Sequence, residues 1–168
     1  MRNNKTVYLS LEGSRQIHTV EIDQKTSLGD LIKKYAPGLA RSKDFNEDLE
    51  GYLLNSDDDL RKDVPLASMD LGRKAHIILT RCQKVKVNVL YNGGTYADEF
   101  NPSNRVARVW RKAIKHFQIN DDDATSLKLW LEDETEDVLM DNEFIGAFAS
   151  YPACSVTLIL SVDQDVQG

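Results

Sequence analysis

The chain has 168 residues, of which 41% are apolar and 29% charged, with a net charge of -6. That composition belongs to a folded chain and not to a disordered tail, and no apolar run approaches the roughly 20 residues that span a bilayer. Residues 1–82 hold 13 basic and 13 acidic side chains while residues 83–168 hold 8 and 14, so the excess negative charge sits in the second half and disfavours a general nucleic-acid binder, which needs a net basic surface.

Met1-Arg2-Asn3-Asn4-Lys5 leads into a strand-like run with no apolar segment of the signal-peptide kind. Val7-Tyr8-Leu9-Ser10-Leu11 alternates with period two, the pattern of a strand with one buried face. The turn Glu12-Gly13-Ser14-Arg15 and a return strand over Ile17 to Ile22 follow. Ser27 is placed to cap a helix with Asp30 three residues on, and Leu28, Leu31, Ile32 and Tyr35 fall at i, i+3, i+4 and i+7. Pro37-Gly38 is expected to stop that helix. A third strand is expected over Leu49 to Leu54, the acidic turn Asp57-Asp58-Asp59 next, a short fourth strand and helical turn around Leu60 to Leu71, and a closing strand over Ala75 to Arg81.

The same order then repeats with a period of about 80 residues. Val85-Lys86-Val87-Asn88-Val89 alternates, Asn92-Gly93-Gly94 is a strong hairpin signal, and Thr95 to Phe100 returns. Ser103 or Asn104 is expected to cap a second helix whose apolar stripe is Val106, Val109, Trp110, Ala113, Ile114 and Phe117. Strands over Leu127 to Leu131 and Ser155 to Val162 complete the copy, with Glu132-Asp133-Glu134 and a short strand and helical turn around Val138 to Phe148 between them. The first and last strands of each copy both bury against the helix, so they are expected side by side and parallel at the sheet centre. The fold class is α+β: two tandem β-grasp domains, each β-β-α-β-β-β, over residues 4–82 and 84–162, with a short tail at 163–168.

Several residues carry a family resemblance. Val64-Pro65-Leu66-Ala67-Ser68-Met69-Asp70-Leu71-Gly72 with His76-Ile77-Ile78-Leu79 resembles the fourth-strand, short-helix and last-strand region of ubiquitin-like domains, and especially the first domain of the interferon-induced two-domain modifiers of vertebrates. Leu127-Lys128-Leu129-Trp130-Leu131-Glu132-Asp133 resembles the third strand and following turn of ubiquitin, and Thr157-Leu158-Ile159-Leu160 its last strand. The resemblance implies conjugation through the carboxyl of Gly168, with an E1-like activating enzyme, an E2-like conjugating enzyme, a deconjugating isopeptidase and target proteins as partners. Asp163-Gln164-Asp165-Val166-Gln167-Gly168 is acidic and ends in one glycine, where ubiquitin's tail is basic and ends in two. That departure implies a dedicated cascade and a likeness to the bacterial two-domain modifiers of anti-phage conjugation operons.

In the second copy, alternation points Lys128, Trp130 and Ile159 outward, where Trp130 and Ile159 are expected to form an exposed partner-binding spot. In the first, His76 and Ile78 take the matching positions with Tyr52 beside them. Alternative readings are a non-conjugated adaptor or an inter-domain contact at Trp130, and, more distantly, a sulfur carrier. Arg105, Arg108, Arg111, Lys112 and Lys115 are read as the solvated outer face of the second helix, and Asp57 to Asp59 and Asp121 to Asp123 lack the spacing of a calcium loop. His18, His76 and His116 form no catalytic set. Cys82 and Cys154 are too few for a disulfide scaffold or a zinc site, suit a reducing compartment, and are expected to be inert. The chain reads as a cytoplasmic monomer that is a substrate of enzymes and not itself one, with no metal, cofactor, nucleic acid or membrane among its partners.

Overall fold

The computed structural model describes residues 4–39, 49–133 and 138–162. The first unit runs β1 (Lys5–Leu11), β2 (His18–Ile22), α1 (Leu28–Leu39), β3 (Glu50–Leu53) and β4 (His76–Thr80), and the second β5 (Val85–Tyr91), β6 (Gly94–Phe100), α2 (Val106–His116), a short α3 (Asp121–Ala124), β7 (Leu127–Leu131) and β8 (Ser155–Val162). The strand orders are β2-β1-β4-β3 and β6-β5-β8-β7, so each unit builds the same four-stranded sheet. The central pairs are parallel, with Leu9 opposite Ile77 and Val89 opposite Leu158. Those side chains point to the helix: Val7, Leu9, Leu28, Leu31 and Ile77 share one core, and Val87, Val89, Val109, Ala113 and Leu158 share the other.

Local chemistry explains the boundaries. Asp30 N donates to Ser27 Oγ at 3.1 Å while Ser27 N donates to Asp30 Oδ2 at 3.0 Å, a reciprocal capping box. Asn92 and Gly93 both have positive φ (48° and 79°), which the tight β5–β6 hairpin needs. Asn120 caps α3 by accepting from Asp123 N at 2.8 Å, so the acidic run Asp121–Asp123 lies in the first turn of a helix, at its positive end.

Four expectations are corrected. Helix α1 runs to Leu39, so Pro37-Gly38 lies within its last turn instead of stopping it. Neither Ser103 nor Asn104 caps α2; its first amides are met by the backbone, Val106 N donating to Glu143 O (2.8 Å) and Ala107 N to Asp141 O (3.1 Å). Among the described residues the fourth strand of each copy shrinks to isolated bridges, Tyr52 with Asp59 and Ser27 with Pro65 in the first and Trp130 with Val138 and Arg105 with Phe144 in the second.

The largest correction concerns the cysteines. Cys82 and Cys154 are joined as a disulfide, with Sγ–Sγ 2.03 Å and Cα–Cα 5.7 Å. The cause is topological. Because β5 and β8 are parallel, their starting ends lie together: Lys86 faces Ser155, and Lys86 N donates to Cys154 O at 2.9 Å. Cys82 precedes one strand and Cys154 the other, so the fold brings them within bonding reach.

Candidate functional site

Gly168 and the tail residues Asp163, Gln164, Asp165, Val166 and Gln167 lie outside the described residues. The surfaces expected to meet partners are described, and the two copies treat them differently.

In the second unit Trp130 and Ile159 are directly opposed across β7 and β8, on the face away from the helix. Trp130 is nevertheless only 6% exposed. Its indole N–H lies along the neighbouring strand and reaches Ser161 O at 3.4 Å. Ile159 is half-buried and Lys128 exposed. Alternation therefore sets the side correctly, but Trp130 is not a protruding anchor. On the other side of β7 a groove of about 340 Å³ runs between β7 and α2, bounded by Val106, Trp110, Leu127, Leu129 and Met140. Met140 is 54% exposed, and Trp110 is fixed there by its N–H donating to Leu127 O at 3.0 Å.

In the first unit the equivalent face is covered. Tyr52 and Ile78 oppose each other across β3 and β4, as Trp130 and Ile159 do in the second copy. Ile78 is fully buried, because Phe144 and Ala147 of the second unit pack on it, with Leu54 and Phe148 at the margin. His76 meets the Phe144 ring edge-on, 6.0 Å between centroids. Ser10 Oγ donates to Gln16 O at 3.1 Å, so toward His76 it acts as acceptor, taking the Nε2–H at 2.7 Å. Burial holds the His76 imidazole below its ordinary pKa. Tyr52, His76 and Ile78 are thus joint residues, and the expectation that they form an open face is corrected.

Around this apolar contact the described residues bond the two units at three places. Gly13 N donates to Gly146 O at 2.9 Å, and the Arg15 guanidinium forks onto Glu143 (Nε–Oε2 3.0 Å, Nη2–Oε1 2.6 Å). On the far side Asn55 N donates to Ser103 O at 2.7 Å, Ser103 Oγ donates to Ser56 O, and the Asn101 and Asn104 amides donate to Asp57 O and Oδ1 (3.1 and 3.2 Å). At the linker Glu12, with its side chain 1% exposed, accepts from Arg81 Nε at 2.7 Å and from Tyr151 N at 3.1 Å, and Arg81 lies over the Tyr151 ring. Glu12 Oε2 is also 3.4 Å from Cys82 Sγ.

None of these polar partners is written in local sequence. Glu12 and Arg81 are 69 positions apart, Arg15 and Glu143 are 128 apart. The usable signal was Ser10, a small polar residue facing out of a central strand where a second layer has to fit. Among the described residues no group of His, Cys, Asp or Glu is arranged to hold a metal, and no helix is long and apolar enough to cross a membrane.

Residues 86–163 match the family model described as BilA ubiquitin-like domain 2. No curated protein sequence matches the chain. Among solved structures the chain is similar to the N-terminal ubiquitin-like domain in the 4931431F19Rik protein, at 17% identity over 48% of this chain and 76% of that one, with a TM-score of 0.36. It is also similar to Caldiarchaeum subterraneum ubiquitin, at 15% identity over 48% of this chain and 95% of that one, with a TM-score of 0.37. By strand order and pairing, the chain is a tandem of two ubiquitin-like β-grasp domains, the second of which matches a ubiquitin-like domain family.

Proposed function

We propose that this chain is a protein modifier, joined through the carboxyl of Gly168 to amines on target proteins by a dedicated E1-like activating enzyme and E2-like conjugating enzyme, released by an isopeptidase, and working in bacterial defence against phage. The observation that carries the reading is the match of residues 86–163 to a ubiquitin-like domain whose last strand, β8, ends at Val162, six residues before that glycine. Six residues extend at most ~20 Å, enough for a carboxylate to enter a partner's active site while the β-grasp body stays outside. The carboxylate attacks the α-phosphate of ATP and releases pyrophosphate; a cysteine thiolate of the enzyme then displaces AMP to form a thioester, and a target amine displaces the thiolate. This requires a free carboxylate at Gly168, present as the chain stands or freed by a protease. Glycine suits the position because a backbone without Cβ approaches a nucleotide or a sulfur closely. Asp163 and Asp165 ask for a basic groove in the activating enzyme, which sets this cascade apart from one built for a basic tail.

The test is to incubate the chain with its cognate activating enzyme and ATP and separate the products without reductant. A modifier gives an enzyme-linked species that collapses on adding thiol and disappears when Gly168 is deleted. No such species, with binding to the enzyme intact, would favour a non-conjugated adaptor. A C-terminal thiocarboxylate mass would favour a sulfur carrier.

A further inference from the structure

The joint contains a redox bond whose surroundings are as specific as its position. Cys82 is 3% exposed and packs in the core of the second domain, although it belongs to the linker from the first. Cys154 is half-buried beside the exposed residues Tyr151, Pro152 and Ala153. The bond therefore pins the linker to the start of β8, and the residue before Cys82 is Arg81, which holds Glu12 of the first domain. Through Tyr151 N, Glu12 also holds the segment that leads to Cys154. One buried carboxylate thus touches both arms of the disulfide, at 3.4 Å from Cys82 Sγ.

We propose that the Cys82–Cys154 disulfide is the latch of the two-domain arrangement, opened by thiol reductants attacking at Cys154, with Glu12 as the residue that resists the opening. The step is a thiol–disulfide exchange. A thiolate forms a bond to Cys154 Sγ, the Sγ–Sγ bond breaks, and the electron pair leaves on Cys82 Sγ, which takes up a proton. A second thiol resolves the mixed disulfide at Cys154, so two reductant thiols are oxidised to one disulfide and the protein gains two thiols. Access selects Cys154, because Cys82 is sealed in the core. The leaving group is then a Cys82 thiolate beside Oε2 of the Glu12 carboxylate, whose charge the Arg81 guanidinium on Oε1 offsets only in part, and the remaining repulsion in a dry site slows the step. After proton uptake the Cys82 thiol becomes a donor to Glu12 Oε2, where the bonded sulfur has no proton to give. Carboxylate and thiol then hold each other beside the linker, and the segment leading into β8 loses its covalent tie to that point.

The test uses the full chain, purified under air. Alkylation and mass measurement follow thiol release during incubation with glutathione or dithiothreitol, and amide hydrogen exchange follows the joint. With dithiothreitol, whose second thiol resolves the mixed disulfide, the oxidised chain is expected to gain two thiols together, and with glutathione a Cys82 thiol with a glutathione adduct on Cys154 is expected first. Glu12→Gln, which removes the charge and keeps the shape, is expected to be reduced about 3- to 10-fold faster. In the reduced chain, and in a chain carrying Cys82→Ser with Cys154→Ser, the amides of Gly13 and Asn55, bonded across the joint, are expected to exchange about 10-fold faster or more, while those of β5 and β8 stay protected. Should Glu12→Gln fail to fold, as β5 and β8 protection would reveal, Glu12→Asp draws the carboxylate back from the sulfur and makes the same comparison. Two free thiols in the aerobic protein, unchanged Gly13 and Asn55 protection after reduction, or an equal reduction rate without the Glu12 charge would each overturn the proposal.

Discussion

Arg15, in the turn between β1 and β2 of the first domain, forks with two hydrogen bonds onto Glu143 of the second, and its third bond goes to Val138 O at 3.2 Å. The guanidinium also lies over the Phe148 ring, 5.3 Å from its centroid. A planar cation thus joins a carboxylate, a carbonyl and an aromatic face of the neighbouring domain, which a lysine has no geometry to copy. Since the Arg15 side chain is 36% exposed, solvent screens the pair, and a double-mutant cycle with Arg15→Ala and Glu143→Ala is expected to give a coupling of only about 0.5–1 kcal/mol. The cycle is read from Gly13 amide exchange, and the coupling should shrink as salt is raised.

The Glu12–Arg81 pair is expected to behave oppositely, because Glu12 is sealed from water. Arg81→Met removes the cation and leaves a buried carboxylate beside, among the described residues, the Tyr151 amide and a disulfide sulfur. The expected loss is about 3 kcal/mol, several times that of Arg15→Ala, and relatively insensitive to salt. Chemical denaturation of the two variants at low and high salt measures the contrast; equal losses would show that Glu12 is wetter than its surroundings imply.

His76 gives the joint a pH dependence. Its neutral form donates Nε2–H to Ser10, and burial depresses its folded pKa below the ordinary 6.5. The separated or unfolded state then binds the proton more readily than the closed one. The contribution of His76 is fully present above about pH 6.5 and is lost as pH falls through the depressed value. The protection factor of the Ile78 amide, taken against its intrinsic exchange rate at each pH, is expected to fall on acidification across that range, and His76→Gln, which keeps a donor for Ser10 and cannot take up a proton, is expected to flatten the response.

Gly146 stands where the second domain meets the first. Its carbonyl accepts from Gly13 N, its own N–H goes to Pro102 O, and an added Cβ would lie 2.9 Å from that same Pro102 oxygen. Backbone cannot rotate aside as a side chain can, so Gly146→Ala is expected to displace the Ile145–Phe148 turn and cost about 1–3 kcal/mol. Thermal unfolding reads the loss, and Gly13 exchange reads the effect on the joint. Gly93, with nothing within 4 Å of its added Cβ, is the control: Gly93→Ala meets only the penalty of positive φ, about 1 kcal/mol.

Much of this fold was legible in the residues. Period-two runs at Val7–Leu11 and Val85–Val89 mark strands, the Leu28–Tyr35 stripe marks a helix, and the demand that first and last strands both face that helix puts them parallel at the centre. Alternation also put Tyr52, His76 and Ile78, and Trp130 with Ile159, on the faces away from the helices. What alternation leaves open is what covers such a face, because a side chain's direction is local while its burial depends on chain 60 or more residues away. The disulfide is different: the parallel pairing of β5 and β8 was expected, Cys154 immediately precedes β8 and Cys82 lies three residues before β5, so their proximity followed from a reading already made. Counting two cysteines as too few hid a consequence of topology. The polar pairs Glu12–Arg81 and Arg15–Glu143 had no such signal, since nothing in either segment names its partner.

The central claim is that the two β-grasp domains form one body in which the outer face of the first sheet is sealed by Phe144, Ala147 and Phe148. Residual dipolar couplings measured on the oxidised chain in weak alignment test it most directly. Amides of β1–β4 and of β5–β8 are predicted to fit a single alignment tensor with the two sheets oriented as they are here. Two tensors of different magnitude would mean that the domains tumble separately, and would contradict the account.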